Sequence, residues 1–162
     1  MKHLLRSFLL IALFVTLPST VFAGQLPAGL FFEPSAFLMH RNATGDIKNR
    51  DDLGLKLIGG YGFGRYVELE AQYGLGFNQH YGAFVLRPFI VGNASTYTWS
   101  FPVGRIRLDS SDFDEPEYGY MAGIGFDSRH NIRGLLLNIE FLYMETDNVR
   151  SVLMSYGLRF YD

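Results

Sequence analysis

Few residues of this chain have the types and positions that catalysis needs. His40 and His80 supply imidazoles, and Asp109 followed by Ser110 supplies a carboxylate and a hydroxyl. A histidine that takes a proton from a serine, oriented by a carboxylate, is the arrangement of a serine hydrolase. However, the sequence has no His-x-Ser pair, and isolated histidines and loop serines are usually solvated residues. We therefore predict no catalytic residue, no metal site and no cofactor.

A larger set of charged residues alternates with apolar ones. In segment 66–74, Glu68, Glu70 and Gln72 occupy every second position, and apolar residues occupy most of the others. This period of two predicts a β-strand with one charged and one apolar face. The pattern recurs along the chain, and we assign nine ionisable residues to the charged face: Glu33, Lys56, Glu68, Glu70, Arg87, Arg105, Arg107, Glu140 and Arg159.

Eight predicted β-strands position these residues. Connections at 62–65, 92–95 and 127–132 have the composition of tight turns, whereas 41–52 and 109–117 are longer and rich in charge. Short turns at one end and longer loops at the other are typical of an up-and-down antiparallel barrel. The predicted strands cover about 28–40, 53–62, 66–77, 83–91, 96–108, 118–126, 133–144 and 151–161.

Two kinds of barrel could present these two faces. A soluble barrel of lipocalin type would bury the apolar face and expose the charges to water. The apolar face carries aromatic residues on nearly every strand, more than a narrow interior can hold, and the charged face is rich in glycine. In lipid a barrel with its apolar face outward and its charged face inward is stable, because closure of the sheet pairs every backbone N–H and C=O group. We therefore predict an all-β, eight-stranded transmembrane barrel with a polar interior.

The charges of the predicted interior nearly balance, since four acids face five bases. An eight-stranded barrel has room inside for side chains and little else. We predict that the charges pair across the interior as an ion-pair network and leave no open pore. A proton or ion path through the barrel is the alternative.

The fifth predicted strand conflicts with this assignment. Strict alternation from Trp99 places Arg105 and Arg107 on the lipid face, at a cost of about 2–4 kcal/mol each near the membrane midplane. We predict a β-bulge at Pro102 or Gly104 that returns both arginines to the interior.

The N-terminus has the features of a secretory signal. Lys2 and Arg6 precede an apolar run, and Ala23 ends a segment suited to cleavage. We predict a signal peptide at 1–23 and one barrel domain at 24–162; as a membrane anchor the apolar run is short and broken by Pro18. The mature chain then has 12 basic and 16 acidic side chains, a net charge of −4, which argues against a nucleic-acid partner.

The predicted loop 109–117 contains five acids in nine residues. Carboxylate oxygens bind hard divalent cations, such as those that lipopolysaccharide also binds. The spacing does not match an EF-hand loop, so a solvated acidic loop is the simpler interpretation. Together with 41–52, this loop is where we expect an extracellular partner to bind.

Several segments resemble the small eight-stranded outer-membrane barrels of OmpA and OmpX type. They are LGLKLIGGYGFGRYVELEAQYG (53–74), YGYMAGIGFD (118–127), LLLNIEFLYME (135–145) and MSYGLRFYD (154–162). The resemblance covers nearly all of the mature chain. It implies location in the outer membrane of a Gram-negative bacterium, contact with outer-membrane lipid and lipopolysaccharide, and insertion as a monomer by the barrel-assembly machinery.

The resemblance specifies a fold more than an activity. It implies a non-enzymatic protein with a structural, surface-interaction or adhesion role. The alternatives are a lipid A-modifying enzyme, which would use rim residues such as His40, His80, Asp109 and Ser110, and a narrow channel. Ser155, Gly157 and Phe160 match the assembly signal of the family, but the final residue is Asp162, where family members usually have an aromatic residue.

Overall fold

The structure, a computed structural model, describes residues 28–43, 49–64, 66–91, 97–129 and 135–162. The predicted signal peptide lies outside the described residues, as do the predicted turn 92–95 and residues 130–132 of the predicted turn 127–132. Within these ranges no helix is long and apolar enough to cross a membrane. The strands are β1 (Gly29–Ala43), β2 (Arg50–Gly62), β3 (Val67–Gly76), β4 (Gln79–Val91), β5 (Tyr97–Ser100), β6 (Val103–Ser110), β7 (Glu117–Arg129), β8 (Leu135–Thr146) and β9 (Val149–Tyr161).

These strands form a closed barrel. Neighbouring strands pair antiparallel, and β1 pairs with both β2 and β9, which closes the sheet. β5 and β6 are two parts of one barrel strand, because each of them pairs with β4 on one side and β7 on the other. The wall therefore has eight strands, and the predicted eight-stranded antiparallel up-and-down barrel is confirmed.

The break between β5 and β6 contains Pro102, which has no amide hydrogen to donate to the ladder. The register does not change across it. Ser100 lies opposite Phe89, and Val103 lies opposite Leu86, so both strands advance by three residues. A bulge would add a residue to one strand only. The predicted bulge is therefore wrong.

The barrel has two different ends. The turn end carries the connections β2–β3, β4–β5 and β7–β8, and the loop end carries β1–β2, β3–β4, β6–β7 and β8–β9. At the loop end the strands continue farther than predicted. β1 extends to Ala43 and β2 begins at Arg50, so the sheet includes both flanks of the predicted loop 41–52. Two loop-end connections, 77–78 and 147–148, have only two residues.

The two faces of the wall have opposite character. Large apolar side chains on every barrel strand point outward, as in Leu55 and Phe84, which are 67% and 79% exposed. Charged side chains such as Lys56 and Arg159 point inward and are 0% exposed. Outward aromatic residues lie in the middle of the apolar band, as in Phe141 and Tyr156, and also towards both of its ends. The turn-end girdle contains Tyr61, Phe63, Tyr66 and Trp99, and the loop-end girdle contains Tyr73, Tyr118, Tyr120 and Tyr143.

Candidate functional site

The described part of the interior has a small apolar cluster of Phe89 and Leu136 at the turn end, followed by three layers along the barrel axis. The inward positions of β1 pass through all three, with Glu33 towards the turn end, Phe37 and Met39 in the middle, and Arg41 at the loop end. We call them the charged layer, the apolar layer and the rim. The charged layer contains Glu33, Lys56, Glu68, Glu70, Arg87, Asp127, Glu140 and Arg159. The apolar layer contains Phe37, Met39, Tyr81, Ala83, Val85, Ile106, Leu108, Met121, Leu142, Met144, Val149 and Leu153.

Arg159 on β9 is the centre of the charged layer. Its Nε donates to Glu33 at 2.7 Å, its Nη1 to Glu68 at 2.7 Å, and its Nη2 to Glu70 at 3.3 Å. The ring of Phe31 lies against the guanidinium, 4.8 Å from ring centroid to Cζ. One buried cation therefore connects β9 to both β1 and β3. Such charge-assisted hydrogen bonds are the strongest that side chains make.

Arg87 extends this network to the opposite wall. Its Nε and Nη2 donate to the two carboxylate oxygens of Glu70 at 2.5 and 3.1 Å, and Nη2 also donates to Glu140 at 2.9 Å. Lys56 Nζ donates to Glu140 at 2.5 Å and to Ser155 at 2.7 Å. Because Glu70 contacts both arginines, the network is continuous. It ties together six barrel strands, β1, β2, β3, β4, β8 and β9.

Two of the nine residues assigned to the interior are not there. The side chains of Arg105 and Arg107 point outward and are exposed, and Ile106 and Leu108 occupy the inward positions of β6. The cause is the unbroken register across Pro102, which keeps strict alternation along the whole barrel strand. The prediction for these two arginines is therefore wrong. The structure places the other seven in the charged layer: Glu33, Lys56, Glu68, Glu70, Arg87, Glu140 and Arg159.

The placement of these arginines changes the charge balance of the interior. Asp127, which was not among the nine predicted residues, is also buried in the charged layer, so five carboxyl groups of this layer face three basic groups. Its Oδ1 accepts a hydrogen bond from Asn138 Nδ2 at 2.7 Å. Neutral donors thus supply part of what the missing cations would have given. The neutral side chains that donate to carboxylates of this layer include Ser35, Gln72, Asn138, Ser155 and Tyr161.

The apolar layer was also missed by the sequence analysis, which followed only the charges. The rings of Phe37 and Tyr81 meet edge to face, with centroids 6.0 Å apart. Gly74 provides the space for Tyr81, since a Cβ at position 74 would lie 2.1 Å from an atom of its ring. Alternation along the strand could have predicted this layer. Phe37 is an even number of residues from Glu33 on the same strand, so both side chains face inward.

At the rim, the β6–β7 connection bends over the barrel mouth. Arg41 is fully buried, donates to Ser110 Oγ at 3.1 Å and forms a close ion pair with Asp112. Its Cζ lies 5.5 Å from the ring centroid of Phe113, which also packs against the apolar layer. Arg50 approaches Asp112 at 3.5 Å. The acidic loop is therefore held down by two arginines rather than fully solvated.

The groups considered for catalysis are divided between the two faces of the wall. His40 Nδ1 contacts Asp51 at 2.6 Å, and His80 Nε2 lies 3.5 Å from Asp109, both on the outside. Ser110 points inward, where its hydroxyl is bound at the rim. No described histidine, carboxylate and serine therefore meet as a hydrolase triad. Nor do three His, Asp or Glu side chains of the described segments lie together as metal ligands would.

Comparisons with known proteins identify the fold. No protein-family model and no curated protein matches the sequence. The structure is similar to Ail, the attachment invasion locus protein of Yersinia pestis (14% identity, 83% of this chain, 100% of that chain, TM-score 0.60). It is also similar to the outer-membrane protein OprG of Pseudomonas aeruginosa (13%, 87%, 100%, 0.60) and to Neisserial surface protein A (12%, 86%, 100%, 0.57). The chain has the fold of small outer-membrane β-barrels.

Proposed function

We propose that this chain is an outer-membrane β-barrel protein of a Gram-negative bacterium, with a structural and surface-interaction role and no enzymatic activity. The main support is the inverted wall, which exposes large apolar side chains on every barrel strand and buries an ion-pair network. Water would penalise that outward face, whereas hydrocarbon solvates it. Closure of the sheet gives the backbone N–H and C=O groups of every strand hydrogen-bond partners and leaves no free edge in lipid.

The location has a direct test. The mature protein, exported through the predicted signal peptide, should fractionate with outer membranes. The folded barrel should also migrate differently on gels before and after boiling. Recovery as a soluble periplasmic monomer would contradict the proposal.

A matched pair of neighbouring substitutions tests the assignment of the two faces. Leu69 is outward and half exposed, and Glu70 is inward and buried. Leu69→Arg should impair folding into lipid vesicles, by about 2–4 kcal/mol if it lies near the midplane. Glu70→Gln should still insert but unfold more easily, because Arg87 and Arg159 lose a charged partner. Cooperative folding of the unmutated chain in plain buffer, unaffected by Glu70→Gln, would contradict this assignment.

The same proposal holds that the barrel does not conduct ions. The charged layer, the apolar layer and the Arg41–Asp112 rim follow one another along the axis. An ion would have to break paired charges and then cross a layer of hydrocarbon side chains. We expect little or no steady current from the purified protein in a planar bilayer. Large ohmic channels would overturn this part of the proposal and favour the narrow-channel alternative.

Surface interaction is assigned to the loop end. Asp114 and Glu115 are exposed in the connection that Arg41 and Arg50 hold over the barrel mouth. An acidic surface on a fixed support suits a basic extracellular partner. The name of Ail, which has a similar fold, refers to attachment and invasion. The test is adhesion of cells that express the barrel to a surface coated with polylysine or host matrix.

The variant for this test is Asp114→Ser combined with Glu115→Ser, and Asp147→Ser in the neighbouring two-residue turn is the matched control. Adhesion should fall with the double variant and remain with the control, at equal surface expression. Equal adhesion of all three proteins would exclude this loop as the binding surface.

A further inference from the structure

We propose that the outward arginines of β6 and the groove beside them form a binding site for a phosphorylated lipid of the outer leaflet, of the lipid A class. Arg105 and Arg107 would bind the phosphate, and an acyl chain would lie in the groove. The proposal rests on the outer-membrane location proposed above. It adds a specific ligand and a specific position on the outer wall.

The two arginines are an exception on the outward apolar band. They lie two residues apart on β6, so both guanidinium groups leave the same face of the sheet. Arg105 donates to the hydroxyl of Tyr120 at 3.2 Å, and its Cζ lies 5.2 Å from the centroid of that ring. Arg107 lies opposite Tyr118. Both arginines are therefore level with the loop-end girdle, where aromatic residues mark the border between lipid and head groups.

The charge of these arginines is only weakly met by the protein. Arg107 Nη2 is 3.7 Å from Asp109 Oδ2, longer than a hydrogen bond. Within the described residues, Arg105 has no ion-pair partner and its polar contact is neutral. By contrast, Arg150, another outward arginine at the loop end, is bound to Glu145 at 3.0 Å. One of these two cations has no ion-pair partner among the described residues and the other has only a long contact with Asp109, so together they can take an anion, and phosphate is one of the anions that the guanidinium fork fits.

Beside Arg105 is a groove of about 840 Å³ on the outside of the barrel. A row of direct cross-strand neighbours crosses it: Gly59, Ala71, Phe84, Arg105 and Tyr120. Three strand spacings of about 4.8 Å separate Arg105 from Gly59, so about 14 Å of the row is left for an acyl chain. The small residues Gly59 and Ala71 leave the wall recessed there, and a Cβ at position 59 would meet nothing within 4 Å.

The groove and the arginines together select an amphiphile. Leu69, Leu86 and Val103 add apolar lining, and the basic groups stand at one end only. A free phosphate would leave the groove empty, and an uncharged lipid would leave the arginines unmatched. A phosphorylated lipid satisfies both parts at once, because its head group and its acyl chain are separated in the same way as the arginines and the groove.

The experiment measures lipid retained by the purified, refolded protein. The barrel is folded in phosphatidylcholine vesicles with or without purified lipid A, extracted gently, and the bound lipid is quantified by native mass spectrometry. The charge variant is Arg105→Gln combined with Arg107→Gln, and the groove variant is Gly59→Leu. Arg150→Gln is the control, since it removes an outward loop-end arginine that does not line the groove.

We expect the unmutated barrel to retain lipid A in preference to phosphatidylcholine. The charge variant should lose about tenfold or more in affinity, the equivalent of one charge-assisted contact. Gly59→Leu should weaken retention with both arginines intact, and Arg150→Gln should leave it unchanged. Equal retention by the charge variant, or equal losses in all three variants, would overturn the site.

Two further measurements separate the possible causes. Deacylated lipid A, which keeps the phosphates, should compete poorly; competition as strong as that of intact lipid A would exclude the groove and contradict the proposal. Heat-modifiable migration reports folding of every variant. A barrel that folds in vesicles but retains lipid A equally in all forms would reject this site and leave the membrane location standing. Failure of the unmutated chain to fold in any vesicle would overturn both.

Discussion

The charged layer and the apolar layer fill neighbouring parts of the same interior by different physical means. In the charged layer, each group has specific partners, and Glu70 alone contacts Gln72, Arg87 and Arg159. In the apolar layer, side chains such as Leu153 and Met39 are equally buried but meet their neighbours through non-directional packing. Side chains of the two layers are equally buried, so the layers differ in how easily one side chain can be replaced by another.

This contrast concerns specificity as well as stability. Removing one member of a buried charge network leaves its partners uncompensated, whereas a core of aliphatic side chains tolerates changes that preserve volume. We therefore expect the charged layer to fix which strands pair in which register, and the apolar layer to fill the space with less selectivity.

The largest effect is expected for Arg159→Ala. The change leaves Glu33 and Glu68 buried without their cation, which should lower the free energy of unfolding by about 3–5 kcal/mol. Denaturant unfolding in lipid vesicles measures it. Arg150→Ala, which removes an exposed pair with Glu145, should cost at most about 1 kcal/mol. Similar costs for both changes would remove the special role of the charged layer.

A packing change gives the next effect. Leu153 is 0% exposed in the apolar layer, and Leu153→Ala should cost about 2–5 kcal/mol through the cavity that it leaves. Leu153→Met preserves volume and should cost less than about 1.5 kcal/mol in the same unfolding assay. If Leu153→Met is as damaging as Leu153→Ala, the apolar layer is as specific as the charged layer and the contrast fails.

A smaller loss is expected for Gly74→Ala. The added methyl group would overlap the ring of Tyr81, which is fully buried and in contact with Phe37. Overpacking of this kind costs about 1–3 kcal/mol. The matched control is Gly59→Ala on the outward face, where the new methyl group meets open space. The denaturation midpoint of Gly74→Ala should therefore be lower than that of Gly59→Ala. Equal midpoints would mean that the Tyr81 ring moves aside for the methyl group without cost.

The smallest effect is expected for Tyr81→Phe. The Tyr81 hydroxyl is buried in the apolar layer without a hydrogen-bond partner among the described residues. Removing it should therefore cost nothing, and relief of the unsatisfied group could raise stability by about 1 kcal/mol. The opposite sign, a loss of more than about 1 kcal/mol in the unfolding assay, would show that the hydroxyl is held by water and that the layer is not dry.

Much of this architecture follows from the period of two in the sequence. Alternation assigns Glu70 and Arg159 to the inside and Leu69 to the outside without knowledge of which strands meet. It cannot show that Arg159 reaches Glu68, because that contact spans residues 91 apart and depends on the register around the closed barrel. The partners within the charged layer were therefore beyond sequence reasoning.

The wrong prediction for the two arginines of β6 has a different cause. Alternation alone gave the correct outward position of Arg105 and Arg107, and the predicted bulge replaced it because two outward arginines would be costly near the membrane midplane. The sequence does not show that Arg105 lies against Tyr120 at the loop-end girdle. In the proposed membrane location the cost of an outward arginine falls at this girdle, because a long side chain there reaches the head groups. Height in the membrane was the missing quantity.

The proline break in the wall also has a consequence for how the barrel opens over time. Pro88 and Pro102 accept hydrogen bonds from the amides of Phe101 and Gly123 at 3.0 and 2.9 Å but can return none. Native-state hydrogen exchange reports how often each such bond opens. The Phe101 and Gly123 amides should therefore exchange sooner than those of the uninterrupted β8–β9 ladder. The wall is a ring of unequal strength, and its most frequent local openings should occur at this seam.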